Sequence, residues 1–173
     1  WSVIHGVRIF TPLMLECAKK DPAYEGHIIN VSSIAGLITP HLMGVYNVSK
    51  HAVVALSETL FHDLAKTEPR IHASVVCPGF TQTGIMHSHI ARPDDMKNKT
   101  APSESMIAAQ AQVVKAISGA KLTAVDVAEK TFEGIRDDQF YILTHPRFIP
   151  LVQARLDDIG ALRNPCDKFG VKE

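Results

Sequence analysis

Tyr46 and Lys50 stand four residues apart in Tyr46-Asn47-Val48-Ser49-Lys50. On a helix, side chains at i and i+4 share a face, so a phenol and an ammonium can point into one site. A free tyrosine titrates at ~10 and is a poor base at neutral pH, but a nearby cation favours the phenolate and moves it toward the range useful for proton transfer. Alone, such a pair is an ordinary feature of helix surfaces. Its surroundings single it out. Ser33 stands thirteen residues before Tyr46, in Asn30-Val31-Ser32-Ser33-Ile34-Ala35-Gly36. A further segment, Cys77-Pro78-Gly79-Phe80-Thr81-Gln82-Thr83, adds a turn with bare backbone and two hydroxyls.

These residues need elements that bring them together. The run from Gly26 to Ser33 is apolar, β-branched and entered through glycine, and reads as a buried strand ending at Ser33. A second such run, Ile71 to Cys77, is stopped by Pro78-Gly79, and Phe140 to Thr144 reads as a third. Helical stripes separate them. In residues 1–19, Val3, Val7, Phe10 and Leu13 or Met14 form one; between 45 and 66, Ala52, Leu56, Leu60 and Leu64 form another. Thr123 caps a helix whose stripe is Val125, Ala128, Phe132 and Ile135, and a last helix follows His145-Pro146 to about Leu162. Residues 81–121 lack a core period and read as a loop or lid with short helices, the lid itself spanning about 84–121.

Strands alternating with helices imply parallel βαβ crossovers in an α/β sheet. In such sheets ligands bind beyond the carboxyl ends of the strands. Ser33, the Tyr46–Lys50 pair and the Pro78-Gly79 turn would converge there. Three strands make a thin sheet, and the chain opens at Trp1 inside a helical pattern. Both features predict further strands upstream.

The 173 residues carry 18 Lys+Arg against 18 Asp+Glu, so no basic surface for nucleic acid is expected. No apolar run reaches the ~18–20 residues of a membrane span. Cys17, Cys77 and Cys166 form no paired spacing, which argues against a disulfide framework and a zinc site and suits a reducing cytoplasm. Three glycosylation-type tripeptides, at Asn30, Asn47 and Asn98, read as coincidence in that setting.

The segment N-V-S-S-x-A-G at 30–36, Y-x-x-x-K at 46–50 and P-G-x-x-x-T at 78–83 together resemble the short-chain dehydrogenase/reductase family, from its fourth helix onward. The resemblance implies a Rossmann-like, doubly wound parallel sheet in three α/β/α layers, with the N-terminal strands missing, and one domain of which residues 1–173 are the C-terminal part. It implies interconversion of a secondary alcohol and a ketone or related carbonyl with NAD or NADP. Tyr46 would move the proton, Ser33 would hold the substrate oxygen, and Lys50 would bind the nicotinamide ribose and favour the Tyr46 phenolate. Tyr46, Lys50, Pro78, Gly79, Thr81 and Thr83 would border the cofactor, Thr81 through backbone and Thr83 through its hydroxyl. Family members commonly pair as homodimers or homotetramers through the helices matching 1–19 and 45–66. The family's glycine-rich phosphate turn, its residue sorting NAD from NADP and its relay asparagine are not in this sequence. A fragment without them would bind cofactor poorly, which keeps open a non-catalytic truncated or scaffold member. An epimerase or dehydratase on the related extended fold is a weaker rival.

Other residues have plainer readings. Adjacent strand residues face opposite sides, so only one of Ser32 and Ser33 enters the site, and the spacing selects Ser33. A Ser33–Lys50 hydrolase would leave Tyr46 unexplained. His87 and His89 lack a third ligand at metal spacing and read as loop residues. His41 and Met43 are candidates to line a pocket. Cys77 reads as a buried apolar residue and His145 as a structural histidine.

Overall fold

The computed structural model describes residues 1–88 and 90–166. In chain order its elements are α1 (Ser2–Lys20), β1 (Gly26–Val31), α2 (Gly44–Thr67), β2 (Ile71–Val76), α3 (Glu104–Ser118), α4 (Ala124–Arg136), β3 (Tyr141–Ile142) and α5 (Ile149–Gly160). Short 3-10 turns sit at Ile34–Gly36, Gly84–His87, Asp94–Met96 and Pro146–Phe148. Two compact units are present: residues 1–79 with 130 onward, and residues 80–129. His89 lies outside the described residues.

The first unit holds the sheet, which is parallel, with order β1-β2-β3. β2 lies in the middle and is buried on both faces, which is why it reads as an unbroken run: Ile71, Ala73, Val75, Val76 and Cys77 are all at most 3% exposed. Gly26 pairs with Ile71 and Val31 with Val76, so β1 and β2 end level with one another. β3 joins β2 through two residue pairs only, shorter than the expected run from Phe140. α1 and α2 pack on the sheet through Ala18, Leu60, Leu64, Ile71 and Ala73. Arg70 ties the entrance to β2 to the end of α1. It donates to the carbonyls of Ala18 (2.8 Å), Asp21 (3.1 Å) and Pro22 (2.8 Å), and its guanidinium pairs with Glu68 at 2.8 Å.

Three helical faces differ from the expected ones. On α1 the packed stripe is Val7, Met14, Leu15 and Ala18, while Phe10 and Leu13 stand 60% and 57% exposed. Small Ala18, 2% exposed, faces the sheet, and with it inward Phe10 and Leu13 turn out. On α2 the buried residues are Asn47, Val54, Ser57, Leu60 and Leu64, and Ala52 is exposed. On α4 a Cβ added at Gly134 would stand 2.6 Å from Ile142, so Gly134 faces β3. That close approach fixes the helix rotation and leaves Phe132, about half a turn away, 60% exposed.

The second unit contains α3, fifteen residues long where short helices were expected. Its Ala- and Gln-rich stretch favours helix by propensity, and Ser103 caps it by accepting from the Met106 N–H (3.3 Å). Ile117 alone is buried, which is why a core period was hard to read. Thr123 caps α4 reciprocally with Asp126: Thr123 Oγ1 accepts from the Asp126 N–H (3.2 Å), and the Asp126 carboxylate accepts from the Thr123 N–H (2.7 Å).

One polar cluster lies at the opposite end of the strands from Ser33. Ser74 Oγ donates to the Gln139 carbonyl (2.8 Å) and lies 2.7 Å from His27 Nε2. The hydroxyl proton is committed to Gln139, so His27 is the donor to Ser74. His72, paired with His27 across the ladder, is bound to Asp138 at 2.7 Å. Burial pushes His27 below its ordinary value of 6.5, His72 adds to this, and Asp138 opposes it. The folded chain therefore binds fewer protons here than the unfolded chain as pH falls through that value. Stability from this site is fully present above pH 6.5 and is lost as pH falls below it. Between pH 7.5 and 5, His27→Gln should lose less thermal stability than the unaltered protein. Equal pH slopes for the two would remove His27 from the account.

Candidate active site

The level ends of β1 and β2 fix the backbone on which the site stands. Beyond Val31, the Ser32 N–H donates to the Val76 carbonyl and the Ile34 N–H to the Pro78 carbonyl, both at 2.8 Å. Ser32 turns inward, 4% exposed, and its hydroxyl donates to the Lys50 carbonyl at 2.8 Å. Alternation therefore turns Ser33 the other way. It is half-buried, with Oγ accepting from the Ala35 N–H (3.2 Å) and making a long bond to the Pro78 carbonyl (3.4 Å).

Gly36 sets how near α2 can come. A Cβ there would lie 2.5 Å from Ser32 Oγ, 2.8 Å from the Lys50 carbonyl and 2.9 Å from Val54. With no side chain at 36, α2 packs directly on the turn after β1 and presents Tyr46 and Lys50 beside the strand end. Lys50 Nζ reaches the Val31 carbonyl at 3.3 Å and stands 5.7 Å from the centre of the Tyr46 ring. Among the described residues, the half-buried Tyr46 hydroxyl has no hydrogen-bond partner. Burial pushes the Lys50 ammonium below its usual range, with Cys77 opposing. Among the described residues the Lys50 ammonium makes that one long hydrogen bond and keeps further N–H donors.

The connection from Ser33 to Tyr46 is pinned by a residue the sequence did not mark. Asn47 is 8% exposed and donates through Nδ2 to the Pro40 carbonyl at 2.9 Å. The loop then turns through Leu42 at φ 61°, a left-handed conformation costly for leucine. The buried Asn47 amide is what holds that turn against α2. Nothing about an asparagine beside Tyr46 announced this; only the tertiary contact does.

Pro78 and Gly79 lie at the same end of the sheet. A Cβ at Gly79 would collide with the Phe148 ring and come within 3.0 Å of the His145 ring, so only glycine passes here. The Gly79 N–H donates to His145 Nδ1 at 3.1 Å, with Thr144 Oγ1 2.8 Å from the same nitrogen, giving His145 a structural role. Cys77 is 1% exposed, and burial pushes its thiol up to about 12, against the Ser33 N–H and Lys50. It is not a nucleophile at neutral pH. Thr81 and Thr83 belong to the second unit, where Thr81 is buried and Thr83 Oγ1 accepts from the Ile85 N–H at 3.4 Å. His41 is exposed and Met43 half-buried.

Residues 1–94 match the family model described as short chain dehydrogenase. A short-chain dehydrogenase/reductase from Burkholderia phymatum, solved in complex with NAD, is 44% identical and superposes with a TM-score of 0.91, over 98% of this chain and 58% of that one. The CLA biosynthesis dehydrogenase/reductase of Lactiplantibacillus plantarum is 34% identical over 162 residues, 91% of this chain and 54% of that protein. Rat 15-hydroxyprostaglandin dehydrogenase [NAD(+)] is 33% identical over 87 residues. The chain thus spans little more than half the length of the first two.

The contact at Gly36 gives a direct test of the packing. Its backbone has no positive φ, so alanine is costly there only through what it strikes. Gly36→Ala should destabilise the fold by about 1–3 kcal/mol, as overpacking does. Ser32→Ala, which removes one buried hydrogen bond, should cost about 1 kcal/mol. Urea unfolding measures both, and an unchanged midpoint in Gly36→Ala would mean α2 does not pack on the turn as described.

Proposed function

Taking as premise that this chain belongs to the short-chain dehydrogenase family, we propose that Ser33, Tyr46 and Lys50 interconvert a secondary alcohol and a ketone or related carbonyl with NAD or NADP. The observation that carries the reading is the half-buried Lys50 ammonium, reaching the Val31 carbonyl and facing the Tyr46 ring at the strand end where Ser33 lies. When bound, the nicotinamide accepts the hydride from the alcohol carbon, or gives it to the carbonyl carbon.

The protein's own groups manage the oxygen. In alcohol oxidation the Tyr46 phenolate takes the hydroxyl proton as the carbonyl forms; in reduction the Tyr46 phenol returns it. The Ser33 hydroxyl, held among the described residues by the Ala35 N–H and by a long bond to the Pro78 carbonyl after β2, donates to the same oxygen and holds it as charge changes there. Lys50, whose ammonium stands 5.7 Å from the centre of the Tyr46 ring, would donate to the ribose hydroxyls. Pro78 and Gly79 would border the nicotinamide with a backbone that no side chain obstructs. Border roles for Thr81 and Thr83, and substrate selection by a lid at 84–121 within one larger domain, rest on the family resemblance. No helix among the described residues is long and apolar enough to cross a membrane. Cys17, Cys77 and Cys166 are unpaired, which favours the cytoplasm, where cell fractionation should find the protein.

A homo-oligomer formed through α1 and α2 accounts for the apolar side chains that α1 leaves in solvent. Ile9, Phe10 and Leu13 are all more than half exposed. Light scattering at micromolar concentration should report a dimer or tetramer that Phe10→Asp dissociates. A monomer before the substitution would contradict this.

The catalytic assignment separates two substitutions in a cofactor-competent protein carrying this sequence. Tyr46→Phe removes the proton-transfer group and keeps the ring, so turnover should fall ~10²–10⁴-fold with cofactor binding retained. Lys50→Ala should lose turnover and weaken cofactor binding together. Nicotinamide absorbance and cofactor titration read the two effects. Near-normal turnover in Tyr46→Phe would remove it from the reaction.

A further inference from the structure

A cavity of about 320 Å³ opens between the loop at Ile38–Pro40 and the face of α5. Its walls are mostly apolar, with Ile38, Pro40, Leu151 and Ile159 prominent. Three charged residues line it, and they are not equivalent. Asp158 and Arg163 pair with each other: Arg163 Nε and Nη2 each lie 2.9 Å from Asp158 Oδ1. Arg155 has no hydrogen-bond or ion-pair partner among the described residues, although half-buried and one turn of helix from Asp158. Asp158, the carboxylate one turn away, pairs through Oδ1 with Arg163 rather than with Arg155. The cavity is therefore an apolar chamber with one unmatched guanidinium.

A guanidinium offers a planar fork of N–H donors that fits a carboxylate with two parallel bonds, and partial burial strengthens those bonds relative to water. Apolar walls with few placed polar groups are the usual make-up of a small-molecule site, and the volume falls at the small end of that range. We propose that this cavity binds a small molecule with an apolar body and a carboxylate, the carboxylate held by Arg155. The loop forming one wall runs from Ser33 to Tyr46 and is held by Asn47 at Pro40. Two sources of that chemistry follow: the far end of the substrate itself, or a separate acid. Neither the pocket nor its charge depends on the proposed reaction.

The probe is octanoate, with octanamide as its neutral counterpart, titrated calorimetrically into protein carrying this sequence without cofactor. Octanoate should bind saturably and more tightly than octanamide. Arg155→Gln, which removes the charge from a residue with no partner to lose, should weaken octanoate about tenfold or more and leave octanamide unchanged. Leu151→Trp, which fills the chamber, should weaken both, and unchanged unfolding transitions control for misfolding. Tyr46→Phe should bind octanoate normally, so failure of the catalytic reading would not imitate failure here. With turnover as readout, a substrate role predicts that Arg155→Gln raises KM for carboxylate-bearing alcohols only. A separate acid predicts that octanoate binding persists under saturating alcohol. No saturable binding of octanoate, or equal affinity in Arg155→Gln, would overturn the proposal.

Discussion

The candidate site depends on the hydrogen bond from the Ser32 hydroxyl to the Lys50 carbonyl, made across a gap that exists because residue 36 has no side chain. A helix can slide and rotate on a sheet by small amounts at little cost in apolar contact. A buried hydroxyl bound to one particular carbonyl removes that freedom, because losing the bond leaves polar groups without partners. This contact sets the height of α2 above the strand ends, and hence where Tyr46 and Lys50 come to lie. It also decides the orientation of Ser33. Once Ser32 is committed inward, alternation leaves its neighbour facing the site.

The remainder of the first unit supports that junction from both sides. β2 is the buried spine, and its parallel register with β1 ends the two strands level, so Pro78 can accept from Ile34 and receive the Ser33 hydroxyl. Arg70 secures the opposite end by binding the carbonyls of Ala18 in α1 and of Asp21 and Pro22 just after it. Asn47 holds the intervening loop through its left-handed turn at Leu42. Side chains at the carboxyl ends are thus presented by backbone fixed at several points. That rigidity is what an acid–base group needs if its approach to a substrate oxygen is to be reproducible.

Strand positions, the parallel pairing and the opposite facing of Ser32 and Ser33 were legible because each follows from a short-range rule: β-branched runs, βαβ alternation, side-chain alternation. Helix rotation was not. Phe10, Leu13 and Phe132 fit helical stripes by spacing, yet they stand exposed while small Ala18 and Gly134 face inward. Sequence spacing weighs large apolar residues, whereas close packing is set by where a helix can approach. α3 escaped notice for the reverse reason: it follows propensity and a cap and buries almost nothing. Asn47 and the unmatched Arg155 belong to tertiary structure alone. No spacing reveals that Asp158 is already taken by Arg163.

The central claim is that Ser33 and Tyr46 act on one substrate oxygen from a common strand end. A double-mutant cycle in kcat/KM tests it most directly, using Ser33→Ala, Tyr46→Phe and the pair in a cofactor-competent protein. Groups that act as a unit lose their effect together, so the double variant should be little worse than the poorer single variant. Losses that simply multiply would show that the two residues work independently, and would contradict this account of the site.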